Sequence, residues 1–124
     1  MPDEKERLLT LLERERHWCR NSEAQDADGA AVPYDHPAAV AWDITGAMCR
    51  LFGWPRARVL FGQLDRHIHG KRVQSRWPGT DVALGSMVAL QEFNDRPATS
   101  FDMLRELLQS LPVWRGAETV VAEA

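Results

Sequence analysis

The chain has 124 residues, of which 44% are hydrophobic and 27% are charged, and its formal net charge is -3. This length suits one domain that buries a core without the help of a disulfide or a metal. The absence of an apolar run of about 20 residues argues against a membrane-spanning helix, and the charged start MPDEKERLL is unlike a signal peptide. We therefore expect a cytoplasmic protein with no membrane association and with reduced thiols at Cys19 and Cys49.

The first half of the chain predicts two helices joined by a loop. Apolar residues at three- and four-residue spacing predict a helix over residues 3–21. Residues 24–36 predict a loop, because Asp28 and Gly29 form a strong turn signal and the flanks are poor in β-branched residues. Any hairpin there would have very short strands. The second helix is predicted over residues 37–53, with proline in its first position and glycine at its end.

The second half predicts three more helices. A helix follows Pro55 and extends to about His69, and another covers residues 82 to about 94. Between them lies a basic loop over residues 70–80. The last helix ends near Leu111 and has the most regular amphipathic pattern, and the capping-box spacing before it favours a cap at Thr99.

These elements predict an all-α fold, a single compact domain of about five helices with short turn-rich links. The domain is expected to cover residues 1–114, and residues 115–124 are expected to form a flexible C-terminal tail. Trp42 lies off the main apolar stripe of the predicted second helix, so we expect that helix to be covered on two sides. A homodimer through helices would supply such a second cover.

Several residues are expected to serve the fold. Gly29 suits a turn, and Gly46 permits the close approach of a neighbouring backbone. The remaining members of this set are tryptophans, caps and turn formers, namely Trp18, Trp42, Asn94, Asp95, Pro97 and Thr99.

Asp26, Asp28 and Asp35 resemble parts of a calcium-binding loop. If Gly29 takes the sixth position of such a loop, the first ligand position falls on Ala24, which has no side-chain oxygen. The twelfth position falls on Asp35, which is shorter than the usual glutamate. The sequence therefore fits a structural turn better than a calcium site, and we predict no metal and no cofactor.

A second group of residues suits acid–base chemistry. Asp26, Asp28, His36 and Asp43 would form a small enzyme or a ligand-binding site if their side chains met around a pocket. If they instead accept hydrogen bonds from the backbone of their own loop, they are caps. Cys19 and Cys49 lie on apolar stretches, which favours buried and unreactive thiols.

A basic segment offers nucleic acid as an alternative partner. Residues 56–76 contain six basic residues and one acidic residue. Phosphate contacts combined with stacking on a tryptophan are typical of single-strand binding. The candidate contacts to nucleic acid or to another acidic partner are Arg56, Arg58, Lys71, Arg72, Arg76 and Trp77.

Three blocks together resemble a family of small uncharacterised bacterial and phage proteins, a domain of unknown function. The blocks are Trp18 followed by AQDADGAAV, then AVAWDITGAM, then ALQEFNDRPATSFDMLRELL, and the resemblance covers roughly residues 8–111. The matching positions are Trp18, Asp26, Gly29, Trp42, Gly46, Ala47, Asn94, Asp95, Pro97 and Thr99. This chain has Asp43 where the family usually has cysteine and Ala98 where it usually has glycine.

The resemblance implies a helical scaffold and no particular activity. Because the matching residues are mostly turn formers, caps and tryptophans, the first hypothesis is a non-enzymatic module that binds another protein or itself. A phage-type or host regulatory role is included in that hypothesis. The alternatives are the nucleic-acid-binding protein and the small enzyme or ligand-binding domain described above.

Overall fold

The computed structural model describes residues 3–70 and 82–112 of the chain. Its elements in chain order are α1 Glu4–Leu11, β1 Ala24–Gln25, β2 Ala41–Trp42, α2 Ile44–Phe52, α3 Trp54–His69, α4 Val82–Asp95 and α5 Phe101–Gln109. The prediction of a mostly helical domain with about five helices is confirmed. Among the residues described, no helix is both long enough and apolar enough to cross a membrane. The predicted tail over residues 115–124 lies outside the described residues.

Helix α2 lies at the centre of the domain, where it contacts α1, α3 and α4. The most extensive helix pair is α3 with α4, and α5 packs against α1. Leucines supply most of the large apolar side chains that are fully buried, which are Leu8, Leu12, Ile44, Met48, Leu60, Phe61, Leu64, Leu90, Leu104 and Leu108. Every residue from 41 to 49 is buried, so the passage from β2 into α2 runs through the interior.

The predicted helix over residues 3–21 is wrong beyond its first two turns. α1 begins at the Asp3 cap and ends at Leu11, and a single 3-10 turn over Glu15–His17 follows it. The chain is then extended at Trp18, and the Cys19 N–H donates to the Trp42 carbonyl at 3.1 Å. Tertiary pairing with β2 therefore overrides the local helical pattern at the end of this segment.

The second helix begins seven residues later than predicted, at Ile44 instead of residue 37. Its N-cap is Asp43, whose Oδ1 accepts from the Gly46 N–H at 2.6 Å. Trp42 therefore lies in strand β2 and not on a helix, and it is only 8% exposed. Because Trp42 does not lie on a helix, its position does not indicate a homodimer through helices.

The predicted loop contributes one strand to a small antiparallel sheet, whose other strand lies in the segment predicted as the start of the second helix. Ala24 pairs with Trp42, and Gln25 pairs with Ala41. Isolated bridges extend it on both sides, from Trp18 to Trp42 and from Gln25 to Ala31. This sheet connects the segment after α1 to the start of α2.

The later helices lie where the periodicity predicts them, with one correction at α5. The cap of α5 is Ser100, whose Oγ accepts from the Met103 N–H at 3.1 Å. Thr99, the predicted cap, instead donates its hydroxyl to the Phe93 carbonyl at 2.7 Å. The Thr99 hydroxyl therefore ties the segment before α5 to the last turn of α4.

Candidate functional site

The side chain of Asn94 joins three parts of the chain inside the protein, and we call this cluster of contacts the Asn94 hub. Its Oδ1 accepts from the Trp18 indole N–H at 2.6 Å and from the Ile44 backbone N–H at 3.0 Å. Its Nδ2 donates to the Cys19 carbonyl and to Asp95 Oδ1, both at 3.0 Å. Because Asn94 is fully buried, these bonds compensate the loss of water around a polar group.

Asp95 and Arg20 extend the hub toward the surface. Asp95 Oδ1 also accepts from the Asn21 N–H at 2.8 Å, where Asn21 has a positive φ of 67°. The Arg20 guanidinium lies 4.4 Å from the centre of the Trp18 ring and donates to the Thr99 carbonyl. Pro97 lies in the turn before Thr99. These residues fasten the segment after α1 to the link between α4 and α5.

Gly46 lies where two backbones approach closely. A Cβ atom at this position would stand 1.9 Å from the Glu23 carbonyl oxygen, which is closer than any real contact. Glycine is therefore required beside the segment that leads into β1.

Asp43 is a buried carboxyl group that caps α2. It accepts from the Thr45 hydroxyl at 2.9 Å as well as from Gly46, and it is 2% exposed. Burial raises the pKa of Asp43 to about 6, the two hydrogen bonds oppose this rise, and the charges of Asp95 and Glu23 add to it. A carboxyl group in this state suits proton transfer, but its Oδ1 is engaged with its own helix.

The Asp26 loop is a turn held by one carboxylate. Asp26 Oδ1 accepts from the backbone N–H groups of Asp28 and Ala30 at 2.9 and 3.0 Å, and Gly29 has a φ of 83°. Asp28 contributes its backbone N–H to this turn, while Asp35 is exposed. In the described part of the chain, no three His, Cys, Asp or Glu side chains gather closely enough to hold a metal ion.

His36 also bonds its own loop, since its Nδ1 accepts from the Ala38 N–H at 3.0 Å. Asp26, His36 and Asp43 thus each accept a hydrogen bond from the backbone close to them in sequence. Hydrogen bonds of this kind to the nearby backbone are expected of caps and not of a site for acid–base chemistry.

Two other arrangements could suggest a nucleophile. Burial raises the pKa of both Cys19 and Cys49 to about 11, so both thiols are protonated at neutral pH. His67 Nε2 lies 2.9 Å from Ser110 Oγ, but that hydroxyl donates its hydrogen to the Leu107 carbonyl at 2.7 Å. The imidazole must then donate to Ser110, which is the opposite of what a general base does.

Only two residues of the predicted nucleic-acid surface lie in the described part of the chain. Arg56 pairs with Glu4 through two bonds of 2.6 and 2.8 Å. The Arg58 guanidinium lies 6.0 Å from the centre of the exposed Trp54 ring. The other candidates, Lys71, Arg72, Arg76 and Trp77, lie outside the described residues.

An open cleft with a volume of about 990 Å³ lies beside the small sheet. We call it the Val40 cleft, after a residue on its wall that is 45% exposed. Its walls come from α1, the 3-10 turn, both strands and the end of α2, and are lined by Arg7, Thr10, Leu11, Arg16, His17, Trp18, Gln25, Asp26, Ala27, Gly29, Ala39, Val40, Ala41, Trp42 and Leu51. Most of this lining is apolar, as in typical binding sites.

A second cavity of about 680 Å³ shares part of this wall. Arg16, Trp18 and Gln25 line both cavities, so the two form neighbouring parts of one surface. The second cavity is more polar and reaches Glu15 and Asn21.

The sequence-based reasoning missed this cleft because its walls come from segments assigned to the wrong elements. The apolar spacing predicts one helix that includes Val40 and Trp42 and another that includes residues 15–18. One feature of the sequence does indicate the true start of α2. Asp43 directly precedes the apolar run of α2, which is a typical N-cap position and would have left Val40 in extended chain.

Neither a curated protein nor a solved structure matches the chain. The model of a family of unknown function, DUF6197, matches residues 6–111. This span covers most of the 124 residues and includes both the Asn94 hub and the Val40 cleft. The chain therefore belongs to this family of unknown function, DUF6197.

Proposed function

We propose that this protein is a non-enzymatic module that binds a partner protein in the Val40 cleft. The observation that carries the proposal is the exposure of Val40, 45%, on a cleft wall that also includes Leu11 and Leu51. Apolar side chains that remain accessible in a concave surface mark interaction sites more often than isolated surface hydrophobes do.

The polar side chains near the cleft support binding over catalysis. Asp26 holds a turn with its carboxylate, and Asp43 caps α2. These roles occupy the groups that an acid–base mechanism would need to present to a substrate. The cytoplasm, where buried free thiols such as Cys19 and Cys49 remain reduced, is the proposed location.

A phage-type or host regulatory role is the proposed setting, with the protein acting by occupying or recruiting its partner. Self-association through the same cleft is the other form of this proposal. Light scattering at several concentrations separates the two, because a second copy in the cleft makes the molar mass depend on concentration.

The proposal is tested by affinity capture from the native cell with three baits. These are the wild-type protein, the Val40→Gln variant and the Met103→Gln variant. Met103 is the matched control, since it is 47% exposed on α5 and does not line the cleft. Both replacements are neutral and leave the charge of the cleft unchanged.

We expect a protein captured by the wild type and by Met103→Gln to be reduced at least tenfold with Val40→Gln. Equal thermal unfolding of the three baits shows that any loss comes from the surface. Capture that is equal for all three baits, or no captured protein at all, would contradict the proposal.

A further inference from the structure

The described residues that line the Val40 cleft have a net positive formal charge, although the whole chain has a formal charge of -3. Arg7 and Arg16 line the cleft, and among the described residues that line it the single carboxylate is that of Asp26. One oxygen of this carboxylate already accepts two backbone N–H groups. The charge of the wall is therefore opposite to that of the protein as a whole.

Arg7 is held in place at the cleft. Its Nη2 donates to the Leu51 carbonyl at 2.8 Å, and its guanidinium lies 5.2 Å from the centre of the Phe52 ring. A guanidinium has five N–H donors, so this one bond leaves most of its donors available. A fixed cation of this kind loses little side-chain freedom when it binds a carboxylate.

Arg16 is the less constrained cation. It is exposed, and it makes no hydrogen bond or ion pair with the residues that the structure describes. It lines both the Val40 cleft and the second cavity. A ligand that occupies the cleft and continues along the shared wall must pass Arg16.

We propose that the Val40 cleft recognises a segment of a partner protein in which an aspartate or glutamate lies close to a large apolar side chain. The apolar side chain would pack against Val40 and Leu11, and the carboxylate would pair with Arg16 or Arg7. An extended segment suits the site better than a compact small molecule, because the cleft is open and adjoins a second cavity. This inference rests on the proposed function, since it names the chemistry of the partner in the same site.

The test is selection of a displayed random library of 12-residue peptides on the full chain. Three immobilised proteins are compared: the wild type, Arg16→Glu and Arg14→Glu. Arg14 is the matched control, because it is exposed, lies two residues from Arg16 and lines neither cavity. Both variants change the net charge by the same amount.

Wild type and Arg14→Glu should enrich peptides with an acidic residue beside Leu, Phe, Trp or Met. Arg16→Glu should lose this enrichment. A synthetic peptide from the enriched set should bind Arg16→Glu at least tenfold more weakly than Arg14→Glu, which corresponds to about 1.4 kcal/mol. Its binding to the wild type should also weaken between 50 and 300 mM NaCl.

Three results would overturn the inference: no enrichment on the wild type, enrichment of basic or neutral peptides, or equal losses in the two arginine variants. A concentration-dependent dimer that Val40→Gln dissociates would also overturn it, since a second copy would then occupy the cleft. Affinity capture from the cell distinguishes a failure of this inference from a failure of the proposed function. If capture depends on Val40 while the selected peptides show no acidic preference, the proposed function stands and this inference fails. Capture that does not depend on Val40 removes the proposed function itself.

Discussion

The Asn94 hub and the Val40 cleft both include Trp18, and they differ in how their polar groups are bonded. At the hub, the Trp18 indole N–H donates to a buried amide that makes three further hydrogen bonds. At the cleft, Trp18 is part of an apolar wall on which Arg16 makes no bond to a described residue. The difference separates residues that hold the fold from residues available to a partner. Substitutions at the hub should therefore change stability, and substitutions at the cleft should change binding.

The largest effect is expected from Asn94→Ala. It leaves the Trp18 indole N–H, the Ile44 N–H and the Cys19 carbonyl without the amide, and each unsatisfied buried group costs about 1–3 kcal/mol. We expect a loss of about 4 kcal/mol in the free energy of unfolding, measured by urea denaturation. Gln109→Ala, on the exposed end of α5, should change it by less than about 0.5 kcal/mol. A loss below about 1 kcal/mol at Asn94 would refute the structural role of the hub.

The next effect is a pH dependence due to Asp43. Its pKa is raised from 3.8 to about 6 by burial, so the folded state binds this proton more tightly than the unfolded state does. The stability that this proton contributes is fully present below pH 3.8 and is lost as the pH rises through 6. Other carboxyl groups titrate in the same range, so the comparison must be made with Asp43→Asn.

Relative to Asp43→Asn, the free energy of unfolding of the wild type should fall by about 3 kcal/mol between pH 3.5 and pH 7. The measurement is urea denaturation of both proteins across that range. Parallel pH profiles would show that Asp43 titrates normally in the folded protein.

Gly46→Ala should destabilise the protein by about 2 kcal/mol, because the new methyl group meets the Glu23 carbonyl. Gly62→Ala is the matched control within α3. No atom lies within 4 Å of the Cβ position at Gly62, so alanine there should stabilise the helix by about 0.5–1 kcal/mol. Thermal unfolding of both variants should show changes of opposite sign, and a Gly46→Ala variant at least as stable as the wild type would contradict the close approach at Gly46.

The smallest effect concerns the Asp26 turn. From the sequence, Asp28→Ala would be expected to cost about 1 kcal/mol as the loss of a turn acceptor. The structure assigns the accepting side chain to Asp26 instead. Asp26→Ala should therefore cost about 1 kcal/mol and Asp28→Ala less than about 0.5 kcal/mol, measured by urea denaturation. The reverse order would show that the turn is held differently.

The fold class and the later helices could be predicted from sequence because their signals are local. The regular apolar spacing of α5 and the glycines that end α2 and α3 need no information from distant residues. The segment around Trp18 could not be predicted in this way. Its extended conformation depends on Trp42, 24 positions away, and on Asn94, 76 positions away. The Val40 cleft was missed for the same reason, since its walls come from segments brought together by those long-range contacts.

The most direct test of the central claim is photocrosslinking in the native cell with p-benzoylphenylalanine at position 40 or position 103. Both positions are exposed, but only position 40 lies in the cleft. We predict a crosslink to one partner protein from position 40 that is at least tenfold stronger than from position 103, and that weakens when Arg16→Glu is added. Equal crosslinking from both positions, or none from position 40, would contradict the assignment of the cleft as the binding site.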